Sequence, residues 1–412
     1  MLPSIVVSIA ESARDSPVVE SLLSRQDRLL ATVFLLIISL LFLFQCRRRR
    51  KNRIAATRLD DKVILITGAG SGIGQLLAVR LVERCSGLKG LILWDINETG
   101  LKKTMQLIRN STGKERQIVE KIDNHLHNQD RDIGADDHAP GKAEQPSTTS
   151  QLDVDQNNNK LFATTQLVDV SNRAQVFQAA ENLVEKNKSY PLVPDLLILN
   201  AGVVKGNEFV EFKSEQNIRQ LFDVNVFHLF WCVQAFLPKM MQKRHWNRIV
   251  TVASASGSVG VPRLTDYCAS KFAAQGFHES LTAELLFRKR RSNDLIHTDT
   301  VVVNPSLTST SMFHGAVATN NFLLPSLTPE YLVGKIIEES IFGDTEDLRI
   351  PFMVKCGPVL KLMLPTKWSQ FIVEKIGGNY DNFATSGTRT TPSELGEMKN
   401  EQNVVKAAKK MN

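Results

Sequence analysis

Lys62-Val63-Ile64-Leu65-Ile66-Thr67-Gly68-Ala69-Gly70-Ser71-Gly72-Ile73-Gly74 decides the fold of this 412-residue chain. The apolar run Lys62 to Ile66 predicts a buried parallel strand. Gln75 to Cys85, apolar at Leu76, Leu77, Val79, Leu81 and Val82, predicts a helix. The glycines between them let the backbone approach a pyrophosphate, and the helix N-terminus offers it unpaired N–H groups. A glycine-rich turn alone says little; a strand before it and a helix after it give it meaning.

The pattern repeats downstream. Gly90 to Trp94 predicts a second strand ending at Asp95, 21 positions after Gly74. A dinucleotide fold places a carboxylate there against the ribose hydroxyls; capping of the next helix is compatible with that role. The carboxylate repels the 2′-phosphate of NADP, and the glycine turn holds no Lys or Arg to offset it, so NAD is expected over NADP. Leu196 to Leu199, followed by Asn200-Ala201-Gly202, predicts a central strand and tight turn. Arg248 to Ala253 predicts the next strand, delivering Ser254 at its C-terminal end, where open α/β sheets bind ligands. Ser256 and Ser258 compete with it for a site role.

Asp266-Tyr267-Cys268-Ala269-Ser270-Lys271 carries the chemistry. Tyrosine and lysine four apart share one helical face. A free phenol has a pKa of about 10, and a nearby ammonium favours the phenolate. Such a pair can exchange a proton with an alcohol oxygen, although the same spacing also occurs on ordinary helix surfaces.

Together these residues resemble the short-chain dehydrogenase/reductase family. The matching motifs are TGxxxGIG at Thr67 to Gly74, Asp169-Val170, Asn200-Ala201-Gly202, Asn225, Ser254 and Tyr267-x-x-x-Lys271, spread over Leu59 to Ile376 with one insertion. Leu91 to Asn97, Ile249 to Ser254, Asp266 to Phe272 and Gly276 to Leu281 look like a membrane-bound branch containing retinol dehydrogenase 10 and the epidermal retinol dehydrogenases; a 17-beta-hydroxysteroid dehydrogenase group shares much of this.

The resemblance implies one doubly wound parallel Rossmann sheet and an active-site tetrad of Asn225, Ser254, Tyr267 and Lys271. It implies cofactor contacts from Gly68, Ser71, Gly72, Ile73 and Gly74, from Asp95, Asp169 and Val170, and from Asn200, Ala201 and Gly202. Tyr267, Lys271, Pro305 and Thr310 complete that set. Asn304-Pro305-Ser306 departs from the Pro-Gly of many members, which bears on that turn rather than on the chemistry. The implied reaction passes a hydride from a lipophilic alcohol to NAD, with all-trans-retinol to retinal first and a steroid 17β-alcohol second. A non-enzymic scaffold with a vestigial fold is the remaining class, and the four intact tetrad residues speak against it.

Composition adds attachments. Six of the net +7 charges come from Arg47 to Arg50, Lys51 and Arg53, leaving about +1 elsewhere. The basic balance is therefore no argument for nucleic acid. Five scattered cysteines without CxxC spacing point to a reducing compartment and no metal site. Leu29 to Phe44 is Leu, Ile, Val or Phe except at Ala31, Thr32 and Ser39. As a helix it spans about 24 Å, which suits a thin endoplasmic reticulum bilayer or a lipid-droplet monolayer. The cations after it belong on the cytoplasmic side.

The expected organisation is a lumenal segment 1–28, a single-pass anchor 29–46, a basic linker 47–58, a cytosolic catalytic domain 59–382 and a disordered tail 383–412. Within the domain, about 110–160 reads as a polar, disordered surface insertion; its His125, His127 and His138 read as solvated residues, not ligands. Met312, Phe313, Phe322, Leu323 and Leu324 are expected to form an apolar lid or an ordinary core contact. Tyr331 to Ser340 predicts a helix and Leu348 to Met353 a last strand. The apolar region Leu360 to Val373, with interspersed lysines, is left between pocket wall, membrane contact and core. The apolar helix around Asn225 suggests a homodimer interface.

Overall fold

A computed structural model of the chain describes residues 59–111, 117–123, 160–184, 192–204, 214–243, 245–291, 297–313, 316–318, 324–376 and 378–379. The expected segments 1–28, 29–46 and 47–58, most of the insertion and the tail lie outside the described residues, as do Phe322 and Leu323.

The main sheet has eight strands: β1 (Val63–Thr67), β2 (Gly90–Asp95), β3 (Gln117–Asp123), β4 (Lys160–Leu167), β5 (Leu196–Leu199), β6 (Asn247–Val252), β7 (Thr298–Pro305) and β8 (Asp347–Ile350). Their order is β3-β4-β2-β1-β5-β6-β7-β8, and all neighbours run parallel. Helices α1 (Gly72–Arg84), α2 (Glu98–Ser111), α3 (Arg173–Val184), α4 (Glu215–Met241), α5 (Thr265–Arg291), α6 (Pro329–Lys335, continued by π-helical Ile336–Ile341), α7 (Cys356–Met363) and α8 (Thr366–Ile376) complete the fold.

A strand covered on both faces must be apolar on both, and β1 shows how that is met. Ile64 and Ile66 pack with Leu77 and Leu81 of α1 and Ile336 in one core; Val63 and Leu65 pack with Val176 of α3 and Phe236 of α4 in the other. Trp94 of β2 is fully buried on the second face, where its indole N–H donates to Gln166 Oε1 at 2.7 Å.

Two findings differ from the sequence expectation. Within the stretch expected as a disordered insertion, Gln117–Asp123 forms the edge strand β3, in register with all but the last residue of β4. The strand that leads to Asp169, β4, begins at Lys160, on the edge of the same stretch. In both cases polar residues interrupt the apolar run that would announce a strand, whereas Ile118, Val119 and Ile122 supply β-branched propensity.

Among the described residues one helix, α4, is long and apolar enough to cross a membrane. It packs on the sheet through Leu229, Cys232, Val233 and Phe236, so its apolar character serves the core.

Strand order reverses at β1, which lies between β2 and β5. The crevice at the C-terminal ends of these strands is where such sheets take ligands.

Candidate active site

The loops after β1, β2, β4, β5, β6, β7 and β8 meet at that crevice around a cavity of about 450 Å³. The first is the glycine turn between β1 and α1. Gly68 and Gly72 adopt φ of +68° and +53°, the left-handed region that glycine tolerates. A Cβ on Gly74 would come within 2.1 Å of the Gly68 carbonyl oxygen, so helix and turn touch backbone to backbone. A Cβ on Gly72 would meet nothing within 4 Å, because that position opens into the cavity.

Neighbouring loops are fastened to this turn. Asp95 Oδ2 accepts the Gly70 N–H at 2.8 Å, and its Oδ1 accepts the Asn97 N–H at 2.8 Å. Asp95 thus ends β2 at the cavity and holds Gly70 and Asn97; α2 itself is capped by Asn97, whose Oδ1 accepts the Gly100 N–H at 2.9 Å, and not by Asp95, the capping role that the sequence allowed. Asn200 Nδ2 donates to the Thr67 and Gly68 carbonyls at 3.0 and 3.2 Å. Thr67 Oγ1 accepts the N–H groups of Asn200 and Ala201 at 3.0 and 3.1 Å. These bonds lock β1 to β5 at the point where strand order reverses; Thr67 was not foreseen as part of the site. Asp169 sits two residues past β4 and accepts Ser171 N–H and O–H at 2.9 and 2.6 Å.

The other half of the cavity is built by β6 and α5. Ser254 leaves β6 with extended backbone, and its Oγ accepts the Ser256 N–H at 3.1 Å. The turn so formed lies against α5: a Cβ on Gly257 would come 2.7 Å from the Lys271 carbonyl oxygen. Lys271 Nζ donates to the Val252 carbonyl at 3.2 Å, tying α5 to the end of β6 two residues before Ser254. Tyr267 lies one helical turn before Lys271, 4% exposed, with its ring edge-on to Phe313 at 6.0 Å. Burial alone lowers the Lys271 pKa to about 8, because a desolvated ammonium is penalised.

Asn225 sits in a π-helical stretch of α4, Asp223–Phe227, a local widening frequent at functional sites. It is 1% exposed. Its Oδ1 accepts the Val203 N–H at 2.8 Å; its Nδ2 donates to the Val203 carbonyl at 2.9 Å and to Ser270 Oγ at 3.0 Å. Gly202 lies between Asn225 and Lys271: a Cβ there would be 3.4 Å from Asn225 Oδ1 and 3.7 Å from Lys271 Nζ.

The structure therefore gathers the foreseen residues in one place. Ser254, Tyr267 and Lys271 line the cavity, as do Ser71, Ile73, Val170, Ala201, Pro305 and Thr310. Gly74 and Asn225 do not; they act from behind the wall, through packing and hydrogen bonds. Missed by the sequence reading is the contribution of Met353 and Val354, in the turn after β8, to the far wall. Apolar residues there carried no spacing signal. Met312, Phe313 and Leu324 line the same side.

The residues present fit a dinucleotide. The open face of Gly72, the turn's bare backbone and the Asp95 carboxylate suit a pyrophosphate and its adjoining ribose. Among the described residues no group of His, Cys, Asp and Glu is arranged to hold a metal.

Comparison with known proteins agrees. A family model described as short chain dehydrogenase matches residues 141–321. Short-chain dehydrogenase/reductase family 16C member 6 of Bos taurus is 32% identical over 324 residues, covering 77% of this chain and 81% of that protein. Retinol dehydrogenase 10-A of Xenopus laevis is 33% identical over 307 residues, covering 74% and 79%. Estradiol 17-beta-dehydrogenase 11 of Pongo abelii is 30% identical over 334 residues, covering 81% and 87%. The chain belongs to the short-chain dehydrogenase/reductase family. It is an NAD(P)-dependent alcohol dehydrogenase of that family.

Proposed function

We propose that this protein oxidises a lipid-soluble alcohol, all-trans-retinol to retinal, with NAD as acceptor. The carrying observation is that Ser254, Tyr267 and Lys271 share one cavity with an apolar far wall that includes Leu307, Phe313 and Val354. The likeness to retinol dehydrogenase 10-A of Xenopus laevis favours a retinoid; that to estradiol 17-beta-dehydrogenase 11 of Pongo abelii keeps a steroid 17β-alcohol as second reading.

In this reading Ser254 Oγ holds the substrate oxygen, and Tyr267, as phenolate, takes the hydroxyl proton. Lys271 favours that phenolate by its charge and binds the nicotinamide ribose. Asn225 holds a water in the space left by Gly202, through which the proton passes from Lys271 to solvent. NAD, when bound, supplies the hydride acceptor. Gly68, Ser71, Gly72 and Ile73 would cradle it, with Gly74 packing the helix on that turn from behind; Asp95, Asp169 and Val170 would take its adenosine half, and Asn200, Ala201, Gly202, Pro305 and Thr310 its nicotinamide half. Asp95 favours NAD over NADP by repelling a 2′-phosphate.

The catalytic domain, 59–382, works on the cytosolic face of the endoplasmic reticulum or on lipid droplets, held by the segment 29–46. The exposed rings of Phe227 and Phe230, beside Trp231 and Phe277, form a face of α4 and α5 suited to a second copy of the chain. The test is turnover by microsomes containing the full-length chain, offered retinol or estradiol with NAD or NADP. Retinal formed with NAD is expected. Estradiol oxidation alone moves the protein to the steroid reading. NAD bound without turnover of either alcohol contradicts both and leaves another lipid alcohol or the scaffold reading.

A further inference from the structure

Helices α7 and α8 turn two sides to different surroundings. Leu360, Ile372 and Val373 line the cavity. On the same two helices Leu362 is 88% exposed, and Trp368 and Phe371 are each 52% exposed. Cys356 to Val373 contains two lysines, Lys361 and Lys367, and no Asp or Glu. Lys361 Nζ lies 4.6 Å from the centre of the Phe272 ring, itself exposed on α5, so cation and aromatic share one surface. Exposed apolar side chains flanked by tryptophan and lysine suit the boundary between water and lipid.

We propose that the α7–α8 pair docks on an anionic lipid surface and opens the cavity onto it, so that substrate enters from the bilayer. This inference rests on the reading of a lipophilic alcohol as substrate. A lipid surface is favoured over a second copy of the chain on charge. Lys361, Lys367 and Lys375 outnumber the one acid of these helices, Glu374, so they complement anionic headgroups but would repeat largely unmatched across a twofold interface. The sequence also supplies a tether. The twelve residues 47–58 join the anchor segment 29–46 to the domain, and twelve extended residues reach about 40 Å.

The full-length protein is reconstituted in phosphatidylcholine vesicles, with or without phosphatidylserine, whose acyl chains carry bromine as a quencher. Part of the tryptophan emission is expected to be quenched, and that part to vanish in Trp368→Phe. Leu362→Asp/Phe371→Asp is expected to raise the KM for retinol presented in vesicles about tenfold at unchanged kcat. Lys361→Glu/Lys367→Glu is expected to abolish any gain from phosphatidylserine. Quenching at Trp368 without retinol turnover leaves docking standing and retires the substrate reading. Turnover with no Trp368-dependent quenching overturns docking, as does a change of oligomeric state in the Asp variant without a change in quenching.

Discussion

Lys271 Nζ lies 5.7 Å from the centre of the Tyr267 ring and donates to the Val252 carbonyl from a site 5% exposed. Burial depresses its pKa from 10.5 to about 8, so the folded protein releases this proton before the unfolded chain does. Below pH 8 both states carry the charge and the folded state bears its full burial cost. Between the two values only the unfolded chain keeps the proton, so stability rises with pH. Replacing Lys271 with Met should remove a gain on the order of 2 kcal/mol between pH 8 and 9.5. Denaturant titrations of both proteins across that range check this; parallel pH curves would contradict it.

Asp95 should set cofactor choice. Replacement by Ala removes an acceptor from the ribose and from the Gly70 N–H, held at 2.8 Å. The expected outcome is a fall of about tenfold or more in kcat/KM with NAD, with a rise for NADP. An unchanged NAD-to-NADP ratio would show that the carboxylate only holds the Gly70 and Asn97 turns together.

Two glycines of one turn should fail differently. Gly74→Ala places a Cβ 2.1 Å from a backbone oxygen. It should cost about 3 kcal/mol of stability. Gly72→Ala meets no atom but strains a φ of +53°, costing about 1 kcal/mol, and puts a methyl where the pyrophosphate should lie. Its main defect should be weaker NAD binding. Thermal melts with and without NAD separate the two; equal NAD-induced shifts in Gly72→Ala and the natural protein would exclude the cradle assignment.

The cytosolic placement has its own test. Asn97, Asn110 and Asn187 each begin a glycosylation sequon; of these Asn187 lies outside the described residues. A cytosolic domain leaves all three bare, so glycosidase treatment of protein from animal cells should not change its mobility. A shift at any of them would invert the topology.

Much of this site was legible because its parts are local. A strand, a glycine turn and a helix follow one another within Val63–Arg84, and Tyr267 and Lys271 share one turn of α5. Neither spacing says much alone, but each is read from neighbours along the chain, and together they carry the resemblance. What stayed hidden depends on partners distant in sequence. β3 is held by pairing with β4 across more than thirty-five intervening residues, and its alternation is diluted by Gln, Glu, Lys and Asp. The π-helical widening that carries Asn225 leaves no mark on residue spacing. The inward and outward sides of α7 and α8 become distinct only once the cavity exists.

Tyr267→Phe is the most direct test of the central claim. The substitution removes one oxygen from a ring packed against Phe313 and leaves the glycine turn untouched. Full-length natural and variant proteins should be compared for NADH binding by fluorescence and for NAD-dependent retinal formation. Binding within about twofold, with turnover down about a thousandfold, is the predicted result. Turnover near the natural rate, with binding intact, would contradict the assignment of Tyr267 as the group that moves the proton.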